Sequence, residues 1–519
     1  MSSRFATSSF HSAMAGLATV FATFVSGVIV ANLLGAEGAG VLAFACWLAL
    51  IVAQVIDGGT SLNVCRFLPD LNVRDPPAAH ALSGWLIRRL LVNHALTTAV
   101  LILFYLFDAQ IVMSATHVLT GELTAPLVFV LLFAGLVLTQ SLAAYGTACL
   151  RGAQNFGALA ALTSVSMVGQ IAGVYLGAKL FGTTGAIAGY VAGQVILAVF
   201  AVRFIRRGGT VSPEIKCETR RYGRYAWAAT ICSAFVWSRI EFLFLQSYRN
   251  IEEVGLFSVA LALAALASQG PLLLTGAFLP MLAEKQGQGD RLGLQTAFSS
   301  GTRLLAMLAF PACFGMIAIL PQLVGFLYGP VFSDAVPAAM IMVMVAAFSI
   351  STVVGSHLVN ALSRSDFVFW ASLIGAAVSV TLGYLLIPDF GILGAAISRA
   401  GTQFLVLGLG MWFLTKKLGF EYPIGPMFRT LLAALASSSA GFLIALMLGD
   451  IFGILAAILI SGFVYIVCLR VFRAVQPEDV TNIKRLTSEL PAPYARLSNI
   501  ILAFVDPQSE DEQPRKHAV

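Results

Sequence analysis

Val236-Trp237-Ser238-Arg239-Ile240-Glu241-Phe242-Leu243-Phe244-Leu245 sets a cation and an anion in the middle of a run, Ala226 to Gln246, that otherwise reads as a membrane-spanning helix. An ionisable side chain at that depth costs at least ~2.5–3.5 kcal/mol on insertion scales, which makes it a functional-site hypothesis by default. On a continuous helix Arg239 and Glu241 stand about 200° apart and point to opposite sides. The same stretch opens the second of two similar halves.

Composition decides the class. Of 519 residues 58% are hydrophobic and 11% charged, against about 45–50% and 25% in soluble domains. The mean hydropathy is +0.88, and apolar runs of helical-span length recur from Ser12 to Arg470. Each is long enough to cross a ~30 Å hydrocarbon layer, where only helices and closed barrels satisfy their own backbone. The first run, Ala13 to Leu34, is too long for a signal-peptide core and is kept as a span. The seven cysteines show no CxxC or zinc spacing, so neither disulfide, metal nor cofactor is expected.

The reading is an all-α polytopic membrane protein with fourteen spans, about 12–34, 41–62, 85–107, 125–147, 158–180, 185–205, 225–247, 255–278, 301–324, 337–359, 366–387, 391–414, 429–449 and 450–470. Residues 1–205 form an N-lobe, 206–224 a cytoplasmic linker, 225–415 a C-lobe, 416–471 two extra spans and 472–519 a tail. Taking the N-terminus as cytoplasmic, 27 of the 31 Lys and Arg residues fall inside, and only Lys179 and Arg249 fall outside. The positive-inside rule then puts both termini in the cytoplasm. The net charge of +6 reflects this topology rather than nucleic-acid binding.

The halves repeat. Gly169, Gly173, Gly177, Gly185 and Gly189 recur 206 residues later as Gly375, Ser379, Gly383, Gly391 and Ala395. Glu37 to Leu42 matches Glu252 to Phe257 at an offset of 215, and Phe67-Leu68-Pro69 matches Phe278-Leu279-Pro280 at 211. Six spans followed by six in the same orientation is a parallel repeat of the kind transporters build around a central site. The four-residue spacing of small residues also serves plain helix packing in lipid. Beyond the repeat, Pro477 to Val505 alternates apolar and basic positions, as surface-lying helices do, and the polar tail from Asp506 reads as disordered.

Four charged residues inside spans are singled out: Asp57, Arg239, Glu241 and Arg399. Asp57 sits in Gln54-Val55-Ile56-Asp57-Gly58-Gly59, where the second span should break, and Gly59 aligns with Gly270 of Ser268-Gln269-Gly270-Pro271. Paired interruptions point to a midplane site lined by Asp57, Gln54 and Gln269. The competing reading makes Asp57 a local cap of the kink. Similarly, Glu241 pairs with Arg399 and leaves Arg239 facing a cavity, or all three close into one structural ion network.

Ala31-Asn32-Leu33-Leu34-Gly35-Ala36-Glu37-Gly38-Ala39-Gly40-Val41-Leu42-Ala43, Val254 to Ala260, Leu327 to Phe332 and Phe390 to Ala396 resemble motifs of one family. It is the polysaccharide-transporter branch of the multidrug/oligosaccharidyl-lipid/polysaccharide exporter superfamily, and the likeness runs in order from about residue 10 to 470. The resemblance implies a two-lobed fold like that of multidrug and toxin extruders, alternating between inward-open and outward-open states. It implies flipping of an undecaprenyl-diphosphate-linked oligosaccharide across a bacterial inner membrane. Arg239, then Arg399, are the counterparts of its cavity arginines. Its implied partners are the lipid-linked glycan, membrane lipids, H⁺ or Na⁺ as coupling ion, and polysaccharide polymerase and glycosyltransferases. The first span carries no charge, unlike that of the peptidoglycan-precursor flippases.

Two alternatives were weighed. A cation-coupled multidrug exporter commonly uses an acidic residue in its first helix, and none lies between Ser12 and Leu34. A membrane glycosyltransferase needs acidic or His residues on a sizeable outer loop, and the longest, Asp108 to Thr124, offers only Asp108, His117 and Glu122. No GxxxxGK[ST] phosphate loop is present, so direct ATP hydrolysis is not supported; the expectation is a transporter, not an enzyme.

Overall fold

The computed structural model describes residues 2–107, 126–206, 208–237, 239–273, 275, 278–449, 451–487, 499 and 502–505. The loop from Asp108 to Thr124, Ser238, the tail from Asp506 and part of the stretch between Pro477 and Val505 lie outside them. Among the described residues there is no strand. In chain order the helices are α1 (Ser2–Asp57), α2 (Thr60–Arg74), α3 (Pro76–Phe107), α4 (Pro126–Gly152), α5 (Phe156–Val202), α6 (Pro213–Trp237), α7 (Glu241–Tyr248) and α8 (Ile251–Leu273). They continue with α9 (Phe278–Gly287), α10 (Arg291–Tyr328), α11 (Ala335–Ser351), α12 (Val353–Ala361), α13 (Ser365–Trp412), α14 (Ile424–Leu448), α15 (Ile451–Val471) and α16 (Pro477–Thr487).

Eight described helices are long and apolar enough to cross a membrane, or nine if α11 and α12, bent by 40°, count as one. Three of them carry a non-helical glycine near the middle: Gly35 in α1 (φ 71°), Gly182 in α5 (φ 59°) and Gly391 in α13 (φ 51°). Left-handed backbone costs an L-residue roughly 1–2 kcal/mol and glycine almost nothing, so each glycine joins two arms. These are the places where the sequence reading ends one span and starts the next.

Two expectations are corrected. The run 225–247 is not one helix: α6 stops at Trp237, α7 starts at Glu241, and Arg239 between them has φ 60°. No Gly or Pro announces that break, because hydropathy reports depth and not backbone direction. The second half also does not break at Gly270-Pro271, since α8 runs through Pro271 to Leu273. A proline removes the hydrogen bond to the carbonyl four residues earlier and can kink a helix without ending it.

The chain forms two compact units, Met1–Ala262 with Ala376–Ser398, and Leu263–Gly375 with Arg399–Val519. In the first, the arms of α5 fold onto each other through glycines. A methyl group on Gly177 would strike the Gly185 carbonyl, and one on Gly189 would strike the Gly173 backbone. The Ser166 hydroxyl donates across this seam to the Gly193 carbonyl.

The repeat appears in the same unit as a reciprocal contact. A Cβ on Gly40 would overlap the Ile251 carbonyl, and a Cβ on Gly255 would overlap the Ala36 carbonyl. Gly40 and Gly255 are repeat equivalents, and so are Ala36 and Ile251. Contacts in which i meets j′ and j meets i′ mark a two-fold-related surface.

The second unit has a core of Phe278, Leu294, Phe298, Leu358, Phe413 and Phe420, with Phe367 stacked on Phe413 at 4.0 Å. Ile319 of α10 packs with Ala445, Ile454 and Ala457 of α14 and α15. The outer faces of those two helices expose Met447, Leu459 and Phe463. Such a surface suits acyl chains and not water.

Gly177→Val overpacks a backbone-to-backbone contact, which typically costs 1–3 kcal/mol. It should lower the melting temperature of the detergent-solubilised protein by several degrees, while Gly16→Val, with nothing within 4 Å of its Cβ, should leave it unchanged.

Candidate functional site

Arg239 and Glu241 sit at the α6–α7 break. Backbone N–H groups of Phe242 and Leu243 donate to the carbonyls of Arg239 and Ile240, both at 3.0 Å, closing the start of α7 with tight turns. The Arg239 guanidinium stands 5.8 Å over the Phe242 ring. Phe242 is fully buried, with Trp47 edge-on at 6.2 Å and Phe257 at 6.1 Å. Arg239 is also within electrostatic range of Cys46 and of Tyr190, whose hydroxyl bonds Thr23. Residues of α1, α5, α7 and α8 thus meet around one half-buried cation inside the first unit. Glu241 is 2% exposed in the first turn of α7, where the positive end of the helix dipole favours a carboxylate.

Asp57 and Gln54 belong to a different level of the same unit. Cys46 and Asp57 are eleven residues apart on α1, about 16 Å along the axis. There α1 ends, and Gly58 and Gly59 turn the chain with φ 55° and 79°. Asp57 caps the next helix: its carboxylate accepts from the Ser61 N–H at 3.1 and 3.2 Å and from the Ser61 hydroxyl at 2.6 Å. The local-cap reading therefore describes its contacts. The carbonyls freed at the end of α1 are met by side chains the sequence reading did not single out. Trp227 Nε1–H donates to Gln54 at 3.1 Å and Val55 at 3.2 Å, and Asn93 Nδ2 donates to Ile56 at 3.0 Å. Gly59 allows this fit, since its Cβ would strike the Gly223 carbonyl of α6. The Gln54 side-chain oxygen is buried without a hydrogen-bond partner among the described residues.

Arg399 on α13 and Gln269 on α8 are half-buried and belong to the second unit. The six predicted residues therefore divide into the pair Arg239 and Glu241, the pair Asp57 and Gln54, and these two. Of the other polar residues in the spans, Gln170 bonds Ser26 at 3.3 Å and Gln403 bonds Ser349 at 3.4 Å. Both serve as interhelical hydrogen bonds.

Known proteins with similar sequence or fold can be set beside this geometry. A family described as polysaccharide biosynthesis protein matches residues 93–337. Two similar chains of Haloferax volcanii are named a probable low-salt glycan biosynthesis flippase, Agl15, and a probable flippase, AglR. The first is 20% identical over 34% of this chain and 38% of its own length, the second 24% identical over 45% and 49%. The chain thus matches less than half the length of each. Among solved structures, the lipid II flippase MurJ in an inward closed conformation superposes with TM-score 0.70, 16% identity, and coverage of 88% of this chain and 98% of that one. An inward-facing multidrug transporter of the extrusion family gives 0.62 at 14% identity, covering 77% and 94%. This is a multi-pass membrane protein with the fold of the multidrug/oligosaccharidyl-lipid/polysaccharide exporters, and its sequence resembles their polysaccharide branch.

Proposed function

We propose that this chain is a flippase that carries a lipid-linked oligosaccharide across the membrane for polysaccharide export, by alternating access. The carrier is undecaprenyl diphosphate, the membrane is the bacterial inner membrane, and both termini are cytoplasmic. Polysaccharide polymerase and glycosyltransferases act on either side of the step. The family match and the names of the Haloferax relatives support the class. The observation that carries the reading is Arg239, a half-buried guanidinium held off a helix within a membrane bundle. A guanidinium forks two N–H donors onto a phosphate, a geometry that a point charge lacks. Arg399, in the second unit, is the other candidate substrate-binding cation. Gln54 in the first unit and Gln269 in the second are further candidates for contact with sugar hydroxyls, and Glu241 takes the coupling H⁺ or Na⁺. Asp57 contributes by fixing the α1–α2 break. A cation-coupled drug exporter shares the fold, but a half-buried arginine favours an anionic headgroup over a cationic drug.

Two outcomes follow. Arg239→Ala should cut the lipid-linked precursor reaching the outer face by at least about tenfold, the scale of one charge-assisted hydrogen bond, and Arg239→Lys should not restore it. Normal delivery at matched protein levels, measured by enzymatic labelling in spheroplasts, refutes the assignment. For Asp57, Asn should keep the cap and most of the stability. Ala should cost about 1 kcal/mol, read as a lower melting temperature.

A further inference from the structure

The C-terminal segment is fastened to the second unit in a way no transport site requires. Arg303, in the first third of α10, has a side chain 9% exposed and Asp479 of α16 one 2% exposed. Arg303 Nε donates to both Asp479 oxygens at 3.0 and 2.9 Å, and Nη2 donates to Oδ1 at 2.8 Å. Nη2 also reaches Ser300 Oγ and Glu478 Oε2, each at 3.2 Å. Asp479 does a second job: its Oδ2 accepts from the Gln476 N–H at 3.2 Å, so the residue that pairs with Arg303 also starts α16. The attachment continues on both sides. Arg429 of α14 donates to the Arg473 carbonyl at 3.3 Å. Arg470 at the end of α15 donates to the Phe504 carbonyl at 2.9 Å and lies 4.7 Å over its ring. Val480, Leu502 and Val505 are buried. The described parts of the segment, 473–487 and 502–505, are therefore fastened to α10, α14 and α15.

A buried ion pair is a poor choice for mere stability, because desolvating two charges offsets most of their attraction, and apolar residues often do as well. Its best-attested use is to set one arrangement against another. Three features here make the pair separable. A cavity of about 470 Å³ lined by Arg303, Pro423, Pro426, Gln476, Pro477 and Glu478 adjoins it, and water admitted there lowers the cost of parting the charges. Glu478 is 64% exposed while still touching Arg303, so it can hold the guanidinium after Asp479 leaves. Beyond Arg303, α10 carries Pro311 and Pro321, which leave helical carbonyls unbonded and let the helix bend.

We propose that α16 is a releasable latch on the second unit, shut by Asp479 on Arg303 and opened when α10 shifts and α16 lifts away. The test uses the full chain in lipid nanodiscs, with the exposed Cys65 and Cys217 replaced by Ser. Spin labels go on Thr296→Cys of α10 and Thr481→Cys of α16, both exposed positions and neither a member of the Arg303–Asp479 pair. Two distance populations are expected, with the longer in the minority. Asp479→Asn should raise the ratio of longer to shorter at least tenfold, and the swap Arg303→Asp with Asp479→Arg should bring it back. The apolar pair Arg303→Met with Asp479→Leu, which keeps the fold without the charges, should also change the ratio. A single short distance in the otherwise unaltered protein, unchanged in the apolar pair, makes the segment a fixed strut and overturns the proposal. The readout involves no substrate, so it succeeds or fails separately from the flippase reading.

Discussion

A helix that breaks inside a packed bundle strands backbone groups away from water, and each one buried costs several kcal/mol unless protein supplies a partner. That constraint organises the first unit around the end of α1. Once Gly58 and Gly59 turn the chain, the carbonyls of Gln54, Val55 and Ile56 need donors, and the start of α2 needs an acceptor. Trp227 and Asn93 serve the first need and Asp57 the second. Neither α6 nor α3 can move away from the break without exposing those groups. A glycine at 59 is what lets α6 approach closely enough for the indole to reach. The break is thus less a weak point than the place where three helices are pinned.

The duplicated halves solve a second problem in the same currency of close approach. Lipid offers helices no hydrophobic drive to associate, so contact depends on van der Waals fit and on small residues that bring backbones together. Gly40 and Gly255 do this for equivalent helices of the two repeats, each against the other's carbonyl. Because the contact is reciprocal, a side chain added on either partner would part the same seam. The contact has no side chains to interlock.

Much of this was legible in the sequence, and the parts that were not share a cause. Gly35 and Gly182 fall between predicted spans and Gly391 opens one, and the glycine series of α5 pack as their four-residue spacing suggests. Hydropathy gives depth and glycine gives turns. Neither gives direction or distant partners. The α6–α7 break escaped because Arg239 adopts a left-handed backbone with no glycine or proline beside it. Trp227 looked like one more apolar residue, although its N–H is the donor that α1 needs. Arg303 counted as one of many cytoplasmic cations, and Asp479 lies 176 residues away, beyond any local pattern. Pro477 to Thr487 was legible as an amphipathic helix, but its acidic first turn faces a buried arginine.

The left-handed turn at Arg239 sharpens the case for a functional cation. The conformation costs an L-residue about 1–2 kcal/mol, and the depth of the side chain adds to that. A cation over an aromatic face returns about 0.5–2 kcal/mol of this. A lysine in the same helix could have carried a charge for less strain. What the strained turn provides is placement: a planar guanidinium above Phe242, beside Tyr190 and Cys46, freed from the periodicity that would have tied it to α6. Backbone strain of this kind persists where surrounding structure over-determines it, and it collects at sites that bind or switch. Trp47, Phe242 and Phe257, packed edge to face beneath the arginine, are that surrounding structure. The aromatic cluster is therefore the packed base on which the Arg239 guanidinium rests.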